Sequence, residues 1–381
     1  AGGHYSLAGR ATGTAVTGAP EAPPPVTAMA RSGTAETDLP LGGTVPVASG
    51  DQCDVSGYDL RWTTDPTWPW EDGTGVVADA PPAPGHPDTL RITELTTGLD
   101  HVVRLRTTSD DGLESPLSAS VYGTPSAAAG RVWRVAQDGS GDTQKLQTAM
   151  DGAQAGDLIL VAPGTYRWAD MVASDDPFAI DHGMVYIRRD LRDVVIRSEA
   201  GPHRTILDAQ GQGRMFFVQG YNSGCVIDGF TMINGVANGF DGYAGGAIVG
   251  HLSSPTIRNC VFRDNLAIGA NDSLGGGGAI WWGGVSEVKI RSCVFEDNEA
   301  DVGGAVFLAR TNDTNIIQDS VFEGNVANLY GGAIGVWSGD ASIERCILSE
   351  NVGIEAGGAV WVNGTDPDFP IDHTVVIDQC T

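Results

Sequence analysis

The stretch Gly245-Gly246-Ala247-Ile248 is the first of five copies of one motif, Gly-Gly-Ala followed by Ile or Val. Successive copies begin 32, 26, 28 and 26 residues apart. Self-similarity at a period of this size predicts stacked structural units, each resting on its neighbours. The later copies are Gly277–Ile280, Gly303–Val306, Gly331–Ile334 and Gly357–Val360.

A second motif alternates with the first. It begins in Cys or Ser, carries Phe or Leu two residues on, and ends in Asn. Short runs such as Ala279–Trp282 are rich in β-branched and aromatic residues and bounded by Gly, Asn and Asp, which is typical of strands. The repeat therefore predicts a β-solenoid with three short strands per coil. Gly229–Asn234 is a weaker copy, Cys380-Thr381 begins another, and the full copies are Cys260–Asn265, Cys293–Asn298, Ser320–Asn325 and Cys346–Asn351.

Neighbouring coils of a solenoid lie about 4.8 Å apart, so like residues form columns. The glycine pairs suit corners that need a positive φ or a close backbone approach. The Ile or Val after Ala is predicted to point inward, and so are Trp282, Leu308, Val336 and Val362. Corner asparagines are predicted to stack their amides on one another. The predicted columns are Phe262, Phe295 and Phe322; Cys260, Cys293 and Cys346; and Asn234, Asn265, Asn298, Asn325 and Asn351.

These alternating motifs resemble the repeats of the polymorphic outer-membrane protein family and, more broadly, the right-handed parallel β-helix proteins of the pectin-lyase-like superfamily. The resemblance covers roughly Arg131 to Thr381 and implies an all-β solenoid. It leaves the function open, because this fold hosts lyases, hydrolases, adhesins and structural fibres alike.

Three segments are predicted along the chain. Residues 1–20 form a linker or the last strand of a preceding domain, residues 21–126 a β-sandwich, and residues 127–381 the β-helix, with its last coil incomplete. The segment Leu95–Leu105, followed by Gly112–Pro116, resembles a fibronectin type III domain, although the corner tyrosine of that family is His101 here. A generic β-sandwich is the alternative, and either would serve as a spacer.

The β-helix opens with a predicted capping helix. Leu146, Ala149, Met150 and Ala153 share one helical face, and a short amphipathic helix can cover the open end of a solenoid. The flanking segments Val135–Gly141 and Ala162–Tyr166 resemble the start of pectin methylesterases. That resemblance stops there, since no later equivalent of the paired catalytic aspartates of that family is found.

Composition narrows the function classes. The chain has 48 acidic and 22 basic residues, a net charge of −26, which excludes nucleic acid and anionic membranes as natural partners. No run of 18 apolar residues is present, so no membrane span is expected. Six cysteines are too few for a disulfide scaffold, and the column of Cys residues is interpreted as small buried side chains, with disulfides between coils as the alternative.

Acidic residues recur just before the ladder asparagines, and Asp264, Asp297 and Glu323 are the first candidates if the chain is an enzyme. Stacked carboxylates can hold Ca²⁺ or act as an acid–base pair in glycoside hydrolysis. The alternative is a solvated polar corner. The seven histidines are scattered, and no Ser/His/Asp arrangement is evident.

An aromatic stripe is the candidate binding surface. Trp281, Phe307 and Trp361 share one repeat position, and alternation from the inward Ile or Val places that position on the outside. Outward aromatics can stack on sugars or on a protein partner. Packing under a neighbouring loop is the alternative.

Together these patterns predict a non-catalytic extracellular or cell-surface protein with a structural or adhesive role. Its expected partners are other copies of itself, neighbouring surface proteins or carbohydrate, with Ca²⁺ as a possible ligand. The rival hypothesis is a polysaccharide-acting enzyme, a lyase or a glycoside hydrolase.

Overall fold

The computed structural model divides the chain into two compact units, Ala1–Ala127 and Ala128–Thr381. The predicted N-terminal segment 1–20 lies outside the residues that the structure describes. The described residues are 39–44, 55–63, 74–79, 87–92, 101–109, 121–123, 130–172, 183–187, 191–220, 223–237, 244–269, 275–284, 286–311, 315–364 and 373–381.

The first unit contains antiparallel β-sheets. Leu39–Thr44 pairs with Pro87–Ile92 in one sheet. The second sheet has four strands, in the spatial order Thr74–Asp79, Val55–Thr63, His101–Ser109 and Val121–Gly123. The fibronectin assignment of this unit remains a prediction.

The second unit is a parallel β-helix whose chain passes in turn through four sheets, here named A to D. Sheet A comprises Val132–Val135, Leu158–Val161, Val195–Ser198, Ser223–Asp228, Ser254–Arg258, Lys289–Arg291, Asn315–Gln318, Ala341–Glu344 and Val375–Asp378. Sheet B comprises Gly164–Arg167, Thr205–Asp208, Thr231–Ile233, Val261–Arg263, Val294–Glu296, Val321–Glu323 and Ile347–Ser349.

Sheets C and D complete each coil. Sheet C comprises Val236–Ala237, Leu266–Ala267, Glu299–Val302, Val326–Tyr330 and Val352–Gly353. Sheet D comprises Val185–Ile187, Phe216–Gln219, Ile248–His251, Ile280–Gly283, Val306–Ala309, Ile334–Trp337 and Val360–Asn363. The seven strands of sheet D correspond to about seven turns of the solenoid.

Sheet C corrects the expectation of three strands per coil. Four of its five described strands follow a corner asparagine directly, as Leu266–Ala267 follows Asn265, and Val236–Ala237 follows Gly235. Three of the five are only two residues long, which is too short for alternation to reveal them. They bring a column of alanines into register, and Ala237, Ala267 and Ala300 pack in a small cluster of their own.

The solenoid interior holds the predicted apolar columns. The first inward position, filled by Ile248, Ile280, Val306 and Ile334, is fully buried. Trp282, Leu308 and Val336 are equally buried at the second, but Val362 is 46% exposed there. Val362 lies in the last strand of sheet D, and no described strand packs over it.

The two glycines of each Gly-Gly-Ala motif serve different physical needs. In the four later copies the first glycine adopts a left-handed conformation, with φ of +71° at Gly277 and +62° at Gly303, whereas Gly245 of the first copy does not. The second permits close approach, because a Cβ on Gly278 would lie 2.2 Å from the carbonyl oxygen of Gly304 in the next coil. Each reason anticipated for the motif therefore applies in four of the five copies, one at each position.

Helix α1, Leu146–Gly152, buries Leu146, Ala149 and Met150 in the main hydrophobic core. It contacts the first two strands of sheet A and Val185–Ile187 of sheet D. A second helix, α2, is the single turn Trp168–Met171. Among the described residues, no helix is long and apolar enough to cross a membrane.

Candidate functional site

The corner between sheets B and C is held by a ladder of asparagine amides. Asn265, Asn298 and Asn325 each donate Nδ2 to the side-chain oxygen of the next asparagine, at 2.8–2.9 Å. Each also donates to a carbonyl of the preceding coil, as Asn298 does to Phe262 at 3.1 Å. Their backbone N–H groups bind the same oxygens. The side-chain amides therefore bond to one another and to the backbone, and the ladder ends at Asn351.

Asn234 does not belong to this ladder, contrary to the expectation from the sequence. Ile233 pairs with Arg263, so Asn234 stands beside Asp264. Gly235 takes the ladder position and donates its N–H to Asn265 Oδ1 at 2.9 Å. The weaker copy of the motif is therefore out of register by one residue, and Asn234 instead donates to Asp208 at 2.9 Å.

The acidic candidates at this corner do not form one column. Asp264 and Asp297 occupy the left-handed turn position, with φ of +55° and +52°, whereas Glu323 aligns with Glu296 one residue earlier. All three candidates are exposed. Glu296 forms an ion pair with Arg263. Within the described part of the chain, no group of three or more His, Cys, Asp or Glu residues could hold a metal ion.

The other predicted columns lie in the core. Phe295 stacks on Phe262 and on Phe322, with ring centroids 4.8 and 4.6 Å apart and planes within 7°. Cys260, Cys293 and Cys346 are buried free thiols that donate to the backbone carbonyl two residues earlier. Ser320 makes the same bond from the same column, at 2.8 Å to Gln318.

Burial governs the chemistry of these thiols. It raises the pKa of Cys346 to about 12 and that of Cys293 well above the usual range. Because the thiolate is the reactive form of cysteine, the column has the properties of packing residues rather than nucleophiles.

A buried ionic cluster stands on the outer side of sheet A. Asp228 accepts bonds from Arg197 at 2.9 Å, Arg258 at 3.1 Å and Asn259 at 2.8 Å. Burial would raise the pKa of Asp228, but Arg258 and Arg197 outweigh it, and the pKa is lowered. The carboxylate therefore stays ionised and joins three successive strands of sheet A.

The structure contains a Ser–His–Asp arrangement that was not evident from the sequence. Ser338 Oγ lies 3.3 Å from His373 Nε2, and His373 Nδ1 lies 3.6 Å from Asp340 Oδ1. This order of groups is the one used in acyl transfer. However, Ser338 is 1% exposed and the His373 side chain 4%, so no substrate reaches the hydroxyl in this conformation. The three residues join two coils at the corner between sheets D and A.

The predicted aromatic stripe lies on the outer face of sheet D. Trp281 belongs to a hydrophobic cluster separate from the core, together with Phe217 and Val249. It is only 8% exposed, because its ring packs against Gly283, where a Cβ would sit 2.3 Å from Cη2. Trp281 is therefore packed away. Phe307 and Trp361 remain half-buried, which leaves part of each ring accessible.

Two further aromatics extend this exposed part. The rings of Tyr330 and Trp361 stack at 5.0 Å with an interplanar angle of 14°. Trp337 stands in the neighbouring column, with the Arg310 guanidinium 4.8 Å from its ring centroid. Tyr330 and Trp337 were missed because neither occupies a position where aromatics repeat. The aromatic patch is defined as Phe307, Tyr330, Trp337 and Trp361.

A family model for the right-handed β-helix region matches residues 205–376. The solenoid is accordingly a right-handed β-helix. No curated protein matches the chain in sequence.

Several solved structures are similar to this chain at low identity. A family 28 exopolygalacturonase from Yersinia enterocolitica is 10% identical, covers 95% of this chain and 86% of its own, and superposes with a TM-score of 0.31. A pectate lyase from Pectobacterium carotovorum is 11% identical, with coverages of 91% and 89% and a TM-score of 0.19. An α-1,3-glucanase catalytic domain is 11% identical, with coverages of 92% and 81% and a TM-score of 0.24. None of these similarities assigns an activity.

Proposed function

We propose that this chain is a non-catalytic β-helical protein, secreted or displayed at a cell surface, with a structural or adhesive role. The proposal rests on the hydrogen bonds and ion pairs that the buried carboxylates make. Buried Asp157 accepts bonds from two backbone N–H groups and the Trp133 indole, and buried Asp228 binds two arginines. Both hold the solenoid wall together and leave no free carboxylate oxygen for a substrate.

The exposed carboxylates lack the surroundings that catalysis needs. A glycosidase requires one carboxyl group kept protonated, which burial in an apolar pocket brings about. Asp264, Asp297 and Glu323 are exposed to water: Glu323 ends a strand of sheet B, and the two aspartates occupy the turn positions that the corner itself imposes. A solvated polar corner accounts for them.

The same proposal covers the rest of the chain. The antiparallel sheets of the first unit support a fibronectin-like spacer, and the buried face of α1 supports a role in covering the first coil. A net charge of −26 favours a solvated protein outside the cell. Association with other copies, or with neighbouring surface proteins, is tested by sedimentation velocity over a range of concentrations, with and without Ca²⁺.

The decisive experiment is a search for new chain ends after incubation with acidic and neutral polysaccharides, with and without Ca²⁺. The proposal expects none on any substrate. Cleavage would overturn it in favour of a lyase or glycoside hydrolase. In that case the single variants Asp264→Ala, Asp297→Ala and Glu323→Ala show whether the corner carries the activity, and Asn234→Ala at the same corner is their control.

A further inference from the structure

We infer that the aromatic patch binds a neutral polysaccharide, with the Trp361 ring as the stacking plate and Glu355 as its hydrogen-bonding edge. The inference goes beyond the proposed function, since a scaffold without any ligand would satisfy that proposal equally well.

The plate is held rigidly in place. Trp361 pairs with Gly335 in sheet D, and its Cβ packs where a Cβ on Gly331 or Gly357 would lie, at 3.1 and 3.0 Å. Tyr330 stacks on it at 5.0 Å. Because its Cβ packs against glycine backbone and Tyr330 stacks on its ring, the half-buried indole loses little conformational freedom when a ligand covers its accessible part.

The edge of the plate is polar. Glu355 donates its backbone N–H to the Leu329 carbonyl at 2.9 Å, which places it beside Tyr330, and hydrogen bonding to the Glu355 carboxylate raises the pKa of Tyr330. Glu355 is exposed, so its remaining acceptor capacity faces water. A flat apolar ring beside a carboxylate matches a sugar, which presents C–H groups on one face and hydroxyl donors at its rim.

The patch is longer than a single sugar ring. Gly335 separates Phe307 from Trp361, so the two aromatic positions are about 10 Å apart at the ~4.8 Å rung spacing. Phe307 leans into the gap, where a Cβ on Gly335 would come within 2.9 Å of its Cδ2. Trp337 flanks the same gap. This extent favours a polymer over a monosaccharide.

Charge decides which polymer fits. The chain carries a net charge of −26, and the polar edge of the plate is itself a carboxylate. An acidic polysaccharide would meet repulsion from both, which Arg310 beside Trp337 offsets only locally, whereas a neutral one meets none and gains the acceptor. An apolar peptide would desolvate Glu355 and offer no donor to its remaining acceptor capacity, which is costly.

The test is affinity electrophoresis in gels containing a neutral glucan, galactan or xylan, or an acidic galacturonan. Retardation by at least one neutral polymer is expected. Trp361→Ala should weaken that binding about tenfold. Glu355→Gln should weaken it by a smaller factor, because one acceptor oxygen is retained.

Tyr186→Ala is the matched control. Tyr186 stands in the same outward column, half-buried, at the far end of sheet D, so its removal should leave retardation unchanged. Circular dichroism melting checks that each variant is folded, and Trp361→Phe retains a ring if the alanine variant is not.

Binding to galacturonan alone, retardation by no neutral polymer, or full retention of binding in a folded Trp361 variant would each overturn the inference. The two proposals fail separately. New chain ends would contradict the non-catalytic role while leaving binding at Trp361 intact, and absence of both cleavage and retardation would contradict only the inference.

Discussion

The corner after sheet B and the outer face of sheet D are traversed by the same coils but are built in different ways. At the corner, Asn265, Asn298 and Asn325 repeat one side chain, and each amide binds the next. Along the outer face, one repeat position holds Val249, Trp281, Phe307, Gly335 and Trp361 in turn. Positions that hold the coils together recur, because adjacent coils must offer matching groups. The outer face of sheet D, where the residue changes from coil to coil, is the surface on which a ligand is proposed to bind.

Among the positions whose residues recur from coil to coil, the substitution expected to destabilise the protein most is Phe295→Ala. Phe295 is fully buried between two stacked rings, so its truncation leaves a cavity across three coils. We expect a loss of about 4 kcal/mol of unfolding free energy in chemical denaturation. Phe307→Ala on the outer face is the control and should cost much less. Equal losses would contradict the distinction between the two regions.

Asp228→Asn tests the ionic cluster of sheet A and should cost about 3 kcal/mol, because buried Arg197 and Arg258 both lose the carboxylate charge that they share. The folded pKa of Asp228 lies below its unfolded value near 4. Its stabilisation is therefore present above that pH and is lost as the pH falls through the folded value.

Acid denaturation measures this effect. Wild-type stability should fall on acidification below about pH 4, and the Asp228→Asn variant should lose that part of the dependence. Asp264→Asn, at an exposed turn, should keep the wild-type profile. Identical acid profiles for wild type and Asp228→Asn would contradict the assignment.

Asn298→Ala breaks the amide ladder at its centre. It removes two bonds donated by Nδ2 and leaves the N–H of Asn265 without its acceptor. We expect a cost of about 2 kcal/mol, read from the unfolding midpoint. Asn234→Ala, outside the ladder, should cost about 1 kcal/mol or less. A larger loss of unfolding free energy for Asn234→Ala than for Asn298→Ala would show instead that Asn234 belongs to the ladder.

Cys293→Ser should have the smallest effect, under about 1 kcal/mol. Ser320 already makes the corresponding bond in the same column, and the hydroxyl of a serine at 293 would reach the Arg291 carbonyl. Thermal melting in reducing buffer is the measurement. A loss as large as that of Phe295→Ala would show that the thiol itself is required.

The columns could be predicted because in-register stacking repeats the same residue types at a fixed spacing. The spacing gave a wrong prediction at the first copy of the second motif. Asn234 was expected to belong to the ladder, but Gly235 occupies that position. The short strands of sheet C escaped notice because two residues show no alternation. Trp281 was correctly placed outward, but sequence alone does not show that its ring packs against Gly283.

The contacts that the sequence did not reveal join residues in different coils. Ser338 and His373 are 35 positions apart, and only the stacking of two coils brings them within 3.3 Å. Tyr330 and Trp361 likewise meet across a coil, and Glu355 reaches Tyr330 from the loop between sheets C and D. None of these residues belongs to a repeated column, so periodicity could not link them.

Hydrogen–deuterium exchange with and without a neutral polysaccharide that retards the chain compares the two regions in one measurement. The account predicts added protection in the peptides containing Tyr330, Glu355 and Trp361, with no change at the corner carrying Asp264 and Asp297. Protection at that corner with none around Trp361 would contradict it, and would place the ligand on the carboxylates instead.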